Sequence, residues 1–159
     1  MSYREQGWGS RFGTLGDIAE KVFIDASPLG RVERLGWRRP AVSLKLMGSN
    51  IRHQPDFYSS SGHLVEVMGL GRDGILKLKT EKWDALKWWN QSGNNVVLFV
   101  WNSHKNEYVL VPWDTLKALV LKARSAGVEA FEVDGNEYLP IQWEWIAKTC
   151  IPVPWDAAA

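Results

Sequence analysis

Pro55-Asp56-Phe57, followed after the turn Ser59-Ser60-Ser61-Gly62 by Leu64-Val65-Glu66-Val67-Met68-Gly69, is the stretch that decides the fold. The second run alternates, so Leu64, Glu66 and Met68 share one face of a strand and Val65 and Val67 take the other. With the turn between them, the two runs read as a hairpin over 55–68. A carboxylate in so apolar a strand is costly unless it is paired, hydrogen-bonded or bound to a metal. Two carboxylates at the ends of adjacent strands make a site for a hard cation that prefers oxygen ligands.

Elements spread outward from that hairpin. Upstream, Leu15, Ile18, Ala19, Val22, Phe23 and Ala26 recur at the spacing of one buried helical stripe, which predicts a helix over 12–26. Glu20 lies at the margin of that stripe. A strand is expected over 41–47, after Gly36-Trp37-Arg38-Arg39-Pro40. Downstream, the glycine-punctuated turn 69–74 precedes a strand over 75–79. Its glycines lack the GxxxxGK[ST] spacing of a phosphate loop. Thr80 reads as the N-cap of the next helix, with Trp83 and Leu86 inward. The run 96–101 is apolar on both faces, as a central strand is, and 108–111 returns antiparallel to it. A helix over 113–126, a hairpin around Asp134-Gly135-Asn136 and a closing segment at Trp143, Trp145 and Ile146 complete the reading. The expected architecture is α/β: a single domain with a mixed β-sheet flanked by helices over 12–150, an N-terminal extension over 1–11 and a tail over 151–159.

The order of helix, hairpin, strand, helix and strand pair resembles the restriction-endonuclease-like nucleases, the PD-(D/E)xK superfamily. Pro55-Asp56 matches the PD element, and Glu66-Val67-Met68 stands where (D/E)xK belongs, so Met68 occupies the usual lysine position. The resemblance covers about 12–121. It implies a DNA endonuclease that hydrolyses phosphodiester bonds with Mg²⁺, Mn²⁺ serving as substitute. It further implies metal ligation by Asp56, Glu66 and the Val67 backbone carbonyl, with Glu20 as a further acidic residue. For the missing ammonium, Lys77 is the first choice; Lys79 shares its strand face, and Lys82 starts the next helix. Junction- or structure-selective cleavage is preferred to restriction, because nothing in the chain points to sequence readout. A nuclease fold that binds nucleic acid without cutting it and an assembly protein are the alternatives, the first supported by Met68.

Composition sets the outer limits. The 159 residues suffice for a buried core, and 45% hydrophobic against 23% charged residues is ordinary for a folded chain. No apolar run reaches the roughly 20 residues that span a bilayer, and the first residues carry no secretory signal. Cys150 is the lone cysteine, which excludes an intrachain disulfide and suits a reducing, cytoplasmic setting. The net charge of +1 is unevenly spread, with nine Lys/Arg against five Asp/Glu in residues 1–55. Arg34, Arg38 and Arg39, with Trp37 among them to stack on a base or sugar, are the candidate DNA contacts. DNA is thus the expected partner, no membrane is, and a homodimer is allowed. No histidine pair has zinc spacing, no GxSxG elbow is present, and of the ten tryptophans Trp83, Trp88, Trp101 and Trp143 are expected in the core.

Overall fold

The computed structural model describes residues 15–36 and 48–155. In order these form α1 (Leu15–Ala26), β1 (Val32–Arg34), α2 (Ser49–Arg52), β2 (Phe57–Ser59), β3 (His63–Leu70), β4 (Ile75–Lys79) and α3 (Thr80–Gln91). There follow β5 (Asn95–Asn102), β6 (Glu107–Pro112), α4 (Trp113–Ala126), β7 (Glu129–Ala130), β8 (Glu137–Gln142), α5 (Trp143–Thr149) and β9 (Val153–Pro154). The expected strand over 41–47 and the residues Trp37, Arg38 and Arg39 lie outside the described residues, as does the extension over 1–11.

Six strands form a mixed sheet in the order β1-β2-β3-β5-β6-β9. β3 and β5 run parallel from His63 opposite Asn95 to Leu70 opposite Asn102, and their neighbours pair antiparallel. Every residue of β5 after Asn95 is buried, and all are apolar except Asn102, whose Oδ1 accepts the His104 and Lys105 amides. The alternation along β3 and β5 divides the core. Val65, Val67, Val97 and Phe99 pack with Ala19, Val22 and Phe23 of α1, while Leu98 and Val100 pack with Leu116 and Val120 of α4. This is the mixed sheet flanked by helices that the sequence implies.

Two elements and one side chain depart from expectation. β4 leaves the main sheet and pairs antiparallel with β8, which pairs in turn with β7. The turn ahead of β4 redirects the chain through Gly74, whose φ of 66° suits glycine, and the Gly74 carbonyl accepts the Trp143 amide at 2.8 Å. The expected tail includes β9, which adds to the edge of β6 through Glu107 opposite Pro154 and Tyr108 opposite Val153. Trp88 is 44% exposed rather than inward. At 100° per residue it lies about 140° around α3 from Trp83, outside the Trp83–Leu86 stripe.

The position of α1 depends on Gly69. A Cβ there would come 2.8 Å from Leu15 Cγ and 3.1 Å from the Leu15 carbonyl, so glycine lets the start of the helix meet β3. Among the described residues no helix is long and apolar enough to cross a membrane.

Candidate active site

The site opens where β2 ends and β3 continues. Phe57 pairs with Val65, and one step beyond that pair Asp56 stands across from Glu66. With β2 absent at this level, the Val67 amide donates instead to Asp56 Oδ2 at 2.8 Å. The backbone of Asp56 is held from the other side: its carbonyl accepts the Leu35 and Gly36 amides at 2.8 and 3.0 Å. A Cβ on Gly36 would lie 3.1 Å from Asp56 Cα and 3.3 Å from its Oδ1, so glycine allows this close approach. At the other end of the hairpin, Ser59, Ser61 and His63 bond to one another and to the turn, which accounts for the hydroxyls and the imidazole there.

Glu66 is buried, 3% exposed, in an otherwise apolar strand. Its Oε1 accepts Lys82 Nζ at 2.7 Å, and its Oε2 is buried with no hydrogen-bond partner among the described residues. Lys82 belongs to the first turn of α3, which Leu86 anchors against Leu64 and Val96 while Trp83 stacks on Trp113 at 5.0 Å. Lys82 thus reaches Glu66 from a helix, and Met68 itself packs on the core. Lys77, the first choice from sequence, pairs with Asp73 at 3.2 Å on the strand that left the main sheet. Lys79 lies over the Phe131 ring at 5.7 Å. The signal that distinguishes Lys82 is its place: a cation in the first turn opposes the helix dipole and needs a carboxylate facing it.

Glu20 and Arg34 adjoin this pair. Arg34 Nη2 donates to Glu20 Oε2 at 2.7 Å, and its guanidinium covers the Phe57 ring at 4.7 Å. Arg34, a candidate DNA contact, is thus engaged within the fold, its side chain 22% exposed. The cluster holds three carboxylates, Glu20, Asp56 and Glu66, against two cations, Arg34 and Lys82.

Burial and one negative charge in excess govern its protonation. Burial pushes Asp56 up to about 6, against the pull of Lys82 and the Val67 amide. Burial and the Asp56 charge push Glu66 up to about 8 despite the Lys82 contact. For Lys82 burial favours the neutral amine, but Glu66 and Asp56 outweigh it and raise the group above its ordinary value, so it remains an ammonium at neutral pH. His53, at the end of α2, is lowered by burial and by Lys82.

These residues fit a divalent cation. The unpartnered Glu66 Oε2 is a buried oxygen open to a ligand, while the upward shifts of both carboxylates come first from their burial. Among the described residues no three His, Cys, Asp or Glu side chains converge to hold an ion, and Glu20 is turned to Arg34 rather than toward a shared ligand position. Two carboxylates with water and substrate oxygens suit Mg²⁺, which keeps several waters, better than a cage-forming metal.

No protein-family model matches the chain, and no curated protein matches its sequence. Among solved structures it is similar to Hjc, a Holliday junction resolvase of the archaeal hyperthermophile Archaeoglobus fulgidus. That similarity has a TM-score of 0.44 at 12% identity and covers 85% of this chain and 94% of the other.

Proposed function

We propose that this protein is a Mg²⁺-dependent DNA endonuclease, selective for DNA structure rather than sequence. The observation that carries this reading is the Lys82 ammonium 2.7 Å from Glu66 Oε1, beside Asp56 and an unpartnered Glu66 Oε2. It restores the carboxylate, carboxylate and ammonium set that Met68 interrupts in the linear sequence.

Asp56, Glu66 and the Val67 carbonyl would hold the cation. Mg²⁺ bound there supplies charge neutralisation at the scissile phosphate and a more acidic water. Lys82, protonated at neutral pH, donates hydrogen bonds rather than accepting a proton, and places positive charge where it builds on the phosphoryl oxygens. The Val67 amide fixes the carboxylate plane of Asp56, and Gly36 lets the backbone close behind it. Glu20 restrains Arg34 beside the site, leaving Arg38, Arg39 and Trp37 as the proposed contacts to DNA backbone and base. The work is positioning and electrostatics, which is what phosphoryl chemistry requires of a protein. The proposed setting is the cytoplasm, with the protein acting alone or as a homodimer.

The test is cleavage of radiolabelled four-way, forked and linear duplex DNA in Mg²⁺, in Mn²⁺ and in EDTA. The reading requires metal-dependent cutting of a branched substrate. Binding without cutting in either metal would establish the binding-module alternative, and no binding even at low salt would exclude DNA as the partner.

A further inference from the structure

Beyond Glu66 the same strand opens into a cleft of about 430 Å³. Its walls are apolar, from Leu15, Met68, Leu70 and Ile75, while Arg72 and Lys77 bring cations to it. Asp73 offsets one of these through its pair with Lys77, and Arg72 forms no ion pair among the described residues, leaving one positive charge in excess. The cleft is an open groove on the protein surface rather than an enclosed cavity. Met68 stands two residues along the strand from Glu66, about 7 Å away, so an occupant is the immediate neighbour of whatever Glu66 and Lys82 hold.

We propose that this cleft receives one unpaired nucleobase of the DNA strand being cut, adjacent to the scissile phosphate. The inference rests on the nuclease reading and names the substrate feature it recognises. A base offers two apolar faces and is joined to an anionic backbone, which matches apolar walls beside excess positive charge. Extruding a paired base costs a few kcal/mol, and a mismatched, frayed or branch-point base costs least, so such a pocket selects DNA with local loss of pairing. It also gives Met68 a purpose. With the ammonium delivered by Lys82, position 68 is free to be a polarizable wall, where a lysine would set a charge against the base.

Gly71 offers a clean test. It lines the cleft, its backbone lies outside the left-handed region, and nothing stands within 4 Å of a Cβ built there. Gly71→Phe therefore adds a bulky ring at the cleft without displacing the fold, and Met68→Gln, of similar reach, makes the same wall polar. Each is compared with the parent on two Mg²⁺-containing cleavage substrates that differ only in whether the nucleotide beside the cut is mismatched. The parent is expected to favour the mismatched substrate by about tenfold in kcat/KM, and both variants to lose most of that ratio. The rise in melting temperature on adding Mn²⁺ should be the same for parent and Gly71→Phe, showing an intact metal site. Equal parental rates on the two substrates, or a ratio that survives in both variants, would overturn the pocket while leaving the nuclease reading in place. A parent that binds Mn²⁺ yet cuts neither substrate would remove the nuclease reading, and this inference with it.

Discussion

Lys82 Nζ and Glu66 Oε1 lie 2.7 Å apart, joining the first turn of α3 to the middle of β3. Sequence order separates the two groups, and the crossover from β3 through β4 and α3 to the parallel strand β5 brings them together. The pair is buried on the Glu66 side and adjoined by two further carboxylates, Asp56 and Glu20.

Cation binding should therefore be visible without any substrate. Mg²⁺ or Mn²⁺ at a hundredfold excess over its Kd should stabilise the fold by about 2.7 kcal/mol, by preferential binding to the native state. Glu66→Gln and Asp56→Asn should abolish the accompanying shift in melting temperature. A full shift in either variant would remove that carboxylate from the metal site.

Stability should vary with pH in a defined direction. Glu66 and Asp56 have folded-state pKa values of about 8 and about 6, both raised above their unfolded values. Between the unfolded pKa and pH 8 the unfolded chain loses these protons more readily, so their contribution destabilises the fold as pH rises through that window. Metal-free protein should melt lower at pH 8.5 than at pH 5.5, and Glu66→Gln should show a smaller decrease. The same slope in parent and variant would assign the pH dependence to other groups.

Gly69→Ala tests the placement of α1. Its Cβ would meet Leu15 Cγ at 2.8 Å and the Leu15 carbonyl at 3.1 Å, and the carbonyl cannot swing aside as a side chain does. Crowding of this kind costs about 1–3 kcal/mol, several degrees in melting temperature for a chain of this size. An unchanged melting temperature would show that α1 is free to shift.

Gly36→Ala tests the backbone behind Asp56. The added methyl would press on Asp56 Cα at 3.1 Å and Oδ1 at 3.3 Å, moving the carboxylate by a few tenths of an ångström. Because misplacement by 1 Å can cost a hundredfold, about a tenfold loss in kcat is expected, alongside a lowered melting temperature from the crowded backbone. Parental kcat would show that the position of Asp56 tolerates that displacement.

Much of this arrangement could be read from residue order, for physical reasons that also explain the exceptions. The β2–β3 hairpin, β5 and α4 carry strong local patterns: alternation, a run apolar on both faces, and a helical stripe at Leu116, Leu119, Val120 and Ala123. β4 carries an equally clear pattern, Ile-Leu-Lys-Leu-Lys, but alternation specifies a face and not a partner. Its pairing with β8 is a long-range choice, made by burying Leu76 and Leu78 against Leu139 and Ile141. β1 and α2 are too short to leave a period. In the site, Asp56 and Glu66 stand out as carboxylates in apolar company, whereas Lys82 carries only the weaker signal of a cation in the first turn of a helix. Choosing among Lys77, Lys79 and Lys82 by strand face favoured Lys77, because the departure of β4 from the main sheet has no local signature.

Rescue of Lys82 by Met68 is the most direct measurement of the central claim. Lys82→Met should lower the rate of Mg²⁺-dependent DNA cleavage by about 10²–10³, the range for loss of a group that stabilises transition-state charge. Adding Met68→Lys to that variant returns an ammonium to the strand position next to Glu66 and should recover at least about tenfold of the loss. Lys79→Ala, over the Phe131 ring, serves as the control and should cut at the parental rate. A folded Lys82→Met protein that binds Mn²⁺ and cleaves as fast as the parent would contradict the account.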